Sequence, residues 1–229
     1  FRSGLKEIYT YFLYYSLGRT MTISEPITKV NLERITNGIF AFTMTLLARD
    51  IVTPDQYAKA SSITVDQFFS NTLSSIFDFF GVFIILAMFW MLFFQMFHRM
   101  KTYDYHFLHV HMLALMAIVV IPFSAAFSNL GLENYTFADY FFQINYFILG
   151  IILLYLWHYA SSSPHLREPL LSDEDAKFLF MKCMIPPAVA FLGILWVYAD
   201  LENIEILYYV PFVVLGVFFK NPTGKKGNT

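Results

Sequence analysis

Residues 31–51 read NLERITNGIFAFTMTLLARDI, and the fold turns on how this stretch is read. It is long enough to cross a bilayer, since roughly 20 helical residues at about 1.5 Å rise cover a hydrocarbon core of about 30 Å. Yet Glu33, Arg34, Thr36 and Asn37 open it, Thr43 and Thr45 sit inside it, and Arg49 and Asp50 close it. A helix surrounded only by lipid would not carry these groups, because each unsatisfied polar atom costs free energy in hydrocarbon. The stretch therefore predicts a helix that faces water or other protein, held in place by the remaining apolar segments.

Composition agrees with a membrane setting. The chain is 57% apolar and 20% aromatic, with only 14% charged residues, where a soluble domain of this length carries about 25%. Its apolar residues come in long runs rather than in an amphipathic rhythm, which predicts an all-α polytopic membrane protein. No basic face suited to nucleic acid is visible. One cysteine, Cys183, excludes an intrachain disulfide and gives no zinc pattern.

Working outward, residues 1–30 place Tyr9, Tyr11, Phe12, Leu13, Tyr14 and Tyr15 between basic residues, and predict an interfacial aromatic helix and a linker. After the opening span a polar connection is expected over 52–71, then further spans over 76–97, 107–127, 140–159, 178–198 and 204–219. Pro122 is expected to kink or end the third of the six spans, because it removes a hydrogen bond to the preceding turn. The acidic run Asp173, Glu174 and Asp175 either solvates a loop or caps the fifth helix. A basic tail, 220–229, ends the chain. Arg2, Lys6, Arg19, Lys29, Arg34, Arg99, Lys101, Arg167, Lys177, Lys182, Lys220, Lys225 and Lys226 all fall on one side if six spans leave both termini together. Only Arg49 and Lys59 oppose them, so both termini are expected in the cytoplasm.

The segment LERITNGIFAFTMTLL resembles the first-helix signature of the transmembrane protein 175 family, the endolysosomal potassium channels and their single-repeat prokaryotic relatives. That signature is an Arg, three residues, then Phe-Ser-Asp, with Gly-hydrophobic-Phe-Ala and Thr-Leu-Leu after it. Ile35, Thr36 and Asn37 occupy the Phe-Ser-Asp positions, and Gly38, Phe40, Ala41, Thr45, Leu46 and Leu47 match the later part of the signature. Trp90, His98, Arg99, Asp104 and the third span's IPFSAAF ending are similar to a second part of the family pattern. Two positions depart from it: Asn31 stands at the arginine and neutral Asn37 at the acid.

Gly38, Phe42, Thr45 and Arg49 succeed one another at steps of four, three and four, and so share one helical face. Spacing alone leaves two readings open for the threonines: pore lining, or bonding back to their own helix carbonyls. The resemblance implies that this face lines a central pore, with Phe42 at a hydrophobic constriction and Thr45 one turn on. A ring of apolar side chains gates by dewetting, and a ring of hydroxyls replaces part of an ion's hydration shell. One helix per chain cannot enclose a pore, and the single-repeat relatives imply a homotetramer. Arg49 reads first as a side chain that snorkels to the interface or pairs between subunits, and second as a pore residue.

The implied function is passive permeation of potassium and other monovalent cations through a prokaryotic cell membrane. A secondary transporter is the alternative reading, suggested only by the Pro-containing third and fifth spans. A haem-bearing protein is another, on His98, His106, His109, His111 and His158, with His109 and His158 as a candidate pair. No phosphate-cradling glycine loop, nucleophile elbow or cysteine pair is present, so no enzyme, catalytic residue, metal or cofactor is expected.

Overall fold

The computed structural model describes residues 28–50, 64–128, 136–201, 204 and 206–218. The expectations for the N-terminal aromatic segment and the basic tail lie outside these residues, apart from Thr28 to Val30. Six helices succeed one another among the described residues. They are α1 (Lys29–Leu46, continued by a tighter 3₁₀ turn, Leu47–Asp50), α2 (Val65–His98), α3 (Tyr105–Ser128), α4 (Thr136–Ser162), α5 (Asp173–Tyr198) and α6 (Ile206–Phe218).

The helix starts are set by their caps. Thr28 has extended backbone and its hydroxyl accepts from the Asn31 N–H at 3.3 Å. Thr64 and Gln67 form a reciprocal capping box, each side chain accepting from the other's backbone N–H. That cap starts α2 at Val65, inside the stretch expected to be a polar connection. The Asp104 carboxylate accepts from the Phe107 N–H at 2.8 Å and opens α3. Ser172 caps α5, and Asp173, Glu174 and Asp175 lie in its first turn, where negative charge is favourable.

Helices α2 to α5 are each long and apolar enough to cross a membrane. Helix α1 has 18 residues but carries Lys29, Glu33 and Arg34, whereas α6 is apolar but only 13 residues long. Helix α3 does not end at Pro122; it continues to Ser128. Asn145 of α4 donates to the Ala117 carbonyl in the turn below this proline, at 3.2 Å.

The core lies where α4 packs between α3 and α5, with α6 against α2 and α1 laid on α2 and α3. Trp157, Tyr146, Phe89, Phe93, Phe107 and Phe142 are fully buried there. Gly150 lets α4 meet α5 closely, since a Cβ at this position would fall 2.8 Å from the Pro187 nitrogen. At one end of the bundle, the α2–α3 turn and the α4–α5 loop are joined backbone to backbone. Met100 and Arg167 form an antiparallel bridge, Lys101 N–H donates to the Leu166 carbonyl at 2.8 Å, and Glu168 N–H to the Arg99 carbonyl at 3.1 Å.

Asp104 reinforces the same joint, accepting from the Tyr159 hydroxyl at 2.6 Å with His165 Nε2 at 3.1 Å. Burial alone would raise this carboxyl's pKa. The hydrogen bonds from Phe107 and Tyr159 and the contact with His165 outweigh it, so the carboxyl lies below its ordinary value.

Candidate pore face

Helix α1 has two unlike faces. Leu32, Thr36, Phe40 and Thr43 are buried, and Leu47 continues that row into the 3₁₀ turn. Phe40 meets the Phe93 ring of α2, with centroids 5.9 Å apart. Asn31, Arg34, Ile35, Gly38, Phe42, Thr45 and Arg49 form the opposite, exposed face. Phe42 is 60% exposed and Ile35 47%, and a Cβ placed on Gly38 would meet nothing within 4 Å.

Two hydrogen bonds set the rotation of α1. The Thr36 hydroxyl donates to the Leu32 carbonyl at 2.8 Å and lies 2.8 Å from His111 Nε2 of α3. His111 is buried against the rings of Phe93, Phe97 and Phe107. One residue on, Asn37 Oδ1 accepts from the Trp90 indole N–H of α2 at 2.9 Å. The neutral amide oxygen thus fills an acceptor's place without bringing charge. Of the three motif positions, Thr36 and Asn37 point to partners within the chain, and Ile35 does not.

On the exposed face, the Thr45 hydroxyl donates to the Phe42 carbonyl at 2.7 Å. This is the back-bonding expected as one of two readings, and it leaves the hydroxyl's lone pairs free to accept. The two readings are therefore compatible at Thr45. Thr43 faces the other way, buried and with no hydrogen-bond partner among the described residues. Arg49 is exposed in the 3₁₀ turn.

The remaining histidines have local partners. His109 bonds the Tyr105 carbonyl of its own helix, and His106 Nε2 lies 2.8 Å from the Tyr155 hydroxyl. His158 packs on the Phe180 ring of α5, and His98 stacks on Phe94. No group of three or more metal-ligating side chains is found among the described residues.

Sequence reasoning identified the exposed stripe through its spacing, but missed the partners of Thr36 and Asn37. The signal for them was present: polar groups in an apolar helix need partners, and Trp90 and His111 are the complementary groups on the next two helices.

Residues 31–122 match the model of the endosomal/lysosomal potassium channel TMEM175 family. The resemblance read from the first helix and from the Trp90 to Arg99 exit is thereby borne out. Among curated proteins, none matches the chain. Among solved structures, the chain is similar to the crystal structure of a lysosomal potassium-selective channel TMEM175 homolog from Chamaesiphon minutus. The TM-score is 0.64 at 19% identity, covering 83% of this chain and 95% of the other. At that identity the likeness speaks for the fold, and it extends well past the residues that the family model covers.

Proposed function

From a chain whose residues 31–122 match the TMEM175 family and whose fold is that of a solved homolog, we infer a potassium-permeable cation channel. Copies assemble as a homotetramer in a prokaryotic cell membrane, with α1 of each copy turned toward a central pore. Helices α1 and α6 complete six crossings, α1 because its polar face meets water rather than lipid and α6 because the bilayer tolerates a short apolar span. Both termini are cytoplasmic, in keeping with the distribution of Lys and Arg. Residues 1–30 form a membrane-surface segment, 31–219 the channel domain and 220–229 a basic tail.

The observation that carries this reading is the division of α1. One face is locked into the chain by Thr36, Asn37 and Phe40, which leaves Gly38, Phe42, Thr45 and Arg49 together with no described residue of the same chain to cover them. Phe42 forms the hydrophobic constriction, and the outward lone pairs of Thr45 receive a partly dehydrated cation one turn on. Gly38 widens the path, and permeation is passive.

Purified protein in liposomes, loaded with potassium or sodium and assayed for efflux, tests the reading. Potassium flux is expected to exceed sodium flux, and Phe42→Ala to raise both by removing the constriction. Absence of flux for either ion in wild type and in Phe42→Ala overturns it.

A further inference from the structure

Two cations meet between α2 and α5. Lys182 stands in the apolar run FLFMKCMI, 178–185, and is only 6% exposed. Its ammonium folds back one turn toward the start of α5, 4.7 Å from the centroid of the Phe178 ring, and donates to Gln95 Oε1 of α2 at 3.2 Å. From α2, the Arg99 guanidinium donates to the backbone carbonyl of the same Gln95 at 3.0 Å. One glutamine thus holds both cations, the ammonium by its amide oxygen and the guanidinium by its carbonyl. The stretches around all three residues, 95–101 and 176–186, are described throughout.

This pair lacks an anion among the described residues. The ion pairs there are Lys29–Glu33, His165–Asp104 and Arg167–Asp173, and none includes Arg99 or Lys182. Glu168 comes near, its N–H on the Arg99 carbonyl at 3.1 Å, but its carboxylate makes no ion pair with either cation. An ammonium has three donors and a guanidinium five, and Gln95 takes one from each. Two like charges beside hydrocarbon are costly unless an oxyanion accepts from the spare donors. Their depth favours a lipid as the source of that oxyanion. Lys182 lies one turn inside the apolar stretch of α5 that opens at Phe178, and Arg99 closes α2 at the Lys- and Arg-rich end of the bundle. Both charged heads therefore fall at the level of the headgroups, and Met181 and Met184, each 49% exposed, offer acyl chains an apolar surface beside them. Residues 219–229, which follow α6 toward the same end, hold Lys220, Lys225 and Lys226 and no Asp or Glu. We propose that Arg99 and Lys182 bind the phosphate diester of an anionic phospholipid, of the phosphatidylglycerol class, from the leaflet at this end. The inference rests on the membrane setting of the helices and not on the pore reading.

Native mass spectrometry of the full chain in neutral detergent, with phosphatidylglycerol and phosphatidylcholine added in equal amounts, tests it. Both lipids carry a phosphate diester, but choline cancels its charge, so wild type is expected to retain phosphatidylglycerol severalfold more. Arg99→Gln/Lys182→Met is expected to bring that preference close to unity. The single Arg99→Gln, at the more exposed of the two positions, is expected to lower it severalfold without disturbing the buried lysine. Lys101→Gln/Lys177→Gln removes two exposed cations at the same end and is expected to keep the preference. Inorganic phosphate at the same concentration as the lipid is expected to displace none of it. Equal retention of the two lipids by wild type overturns the inference, as does an undiminished preference in Arg99→Gln. A preference lost in Lys101→Gln/Lys177→Gln replaces the site with a diffuse surface attraction, and displacement by inorganic phosphate makes it a site for the free anion. Either result overturns the lipid assignment, and absence of potassium flux leaves it untouched.

Discussion

Helices α1 and α4 both carry polar side chains along an apolar run, and they dispose of them in opposite ways. In α4 they turn into the bundle: Gln143 donates to the Tyr208 hydroxyl at 3.3 Å, Asn145 to the Ala117 carbonyl, and Trp157 to the Ala176 carbonyl at 3.0 Å. Helix α1 sends Thr36 and Thr43 into the bundle, Asn37 sideways and Lys29 to the Met100 carbonyl, and leaves Thr45, Arg34 and Arg49 on its exposed face. Polar residues in a membrane helix therefore report that a contact exists, but not whose contact it is. Helix α4 finds its contacts within the chain, whereas the exposed face of α1 is the one proposed to meet a second copy or water.

The comparison breaks most sharply at its glycines. Gly150→Ala is expected to destabilise the solubilised protein by about 1–3 kcal/mol, read as a lower thermal midpoint, because its Cβ meets Pro187 backbone that cannot swing aside. Thr36→Val comes next at about 1–2 kcal/mol, since it takes from the buried His111 the hydroxyl that its Nε2 bonds. If Thr36→Val cost nothing, the bond to α3 would not be what fixes the rotation of α1.

Asp104→Asn should cost less, and only above a certain pH. A carboxyl held below its ordinary value contributes stability that is present above the unfolded-state pKa and lost as pH falls through the folded-state value. The wild-type advantage over Asp104→Asn is thus expected at neutral pH, should begin to decline as pH falls below about 4, the ordinary range for Asp, and should be gone once pH is below the lower folded-state value. A difference that persisted at all pH values would show that the carboxylate's charge is not the source.

The smallest stability effect belongs to Gly38→Ala. Nothing lies within 4 Å of the added Cβ, so stability should be unchanged or rise by about 0.5–1 kcal/mol from better helix propensity. Ion flux, by contrast, is expected to fall if the added methyl groups narrow the path in the proposed tetramer. Gly150 and Gly38 thus test whether a glycine serves packing inside one chain or space between chains.

The four long spans were legible because apolar runs of that length have no other stable setting, and the stripe on α1 because its spacing is helical. The first turns of α2 were not: VDQFFSNTLSS looks like a polar linker, and only the Thr64–Gln67 capping box shows that the helix has already begun. Pro122 left two outcomes open, a kink or an end, and the helix does not end there. It removes one hydrogen bond, but the surrounding helices hold α3 together for another turn and a half, which propensity alone does not capture. The pairings of Thr36 with His111 and Asn37 with Trp90 join residues 75 and 53 positions apart, a separation at which a single sequence names candidates but not partners.

The joint between the α2–α3 turn and the α4–α5 loop has a mechanical consequence. With Met100, Lys101 and Arg99 bonded across to Arg167, Leu166 and Glu168, the two hairpins behave at that end as one stiff frame. Helix α1 is tied to this frame by a charged tether, the Lys29 ammonium on the Met100 carbonyl. A displacement of α1 away from this frame would have to break that tether together with the bonds of Thr36 to His111 and Asn37 to Trp90, so the helix is carried along with α2 and α3 rather than sliding against them.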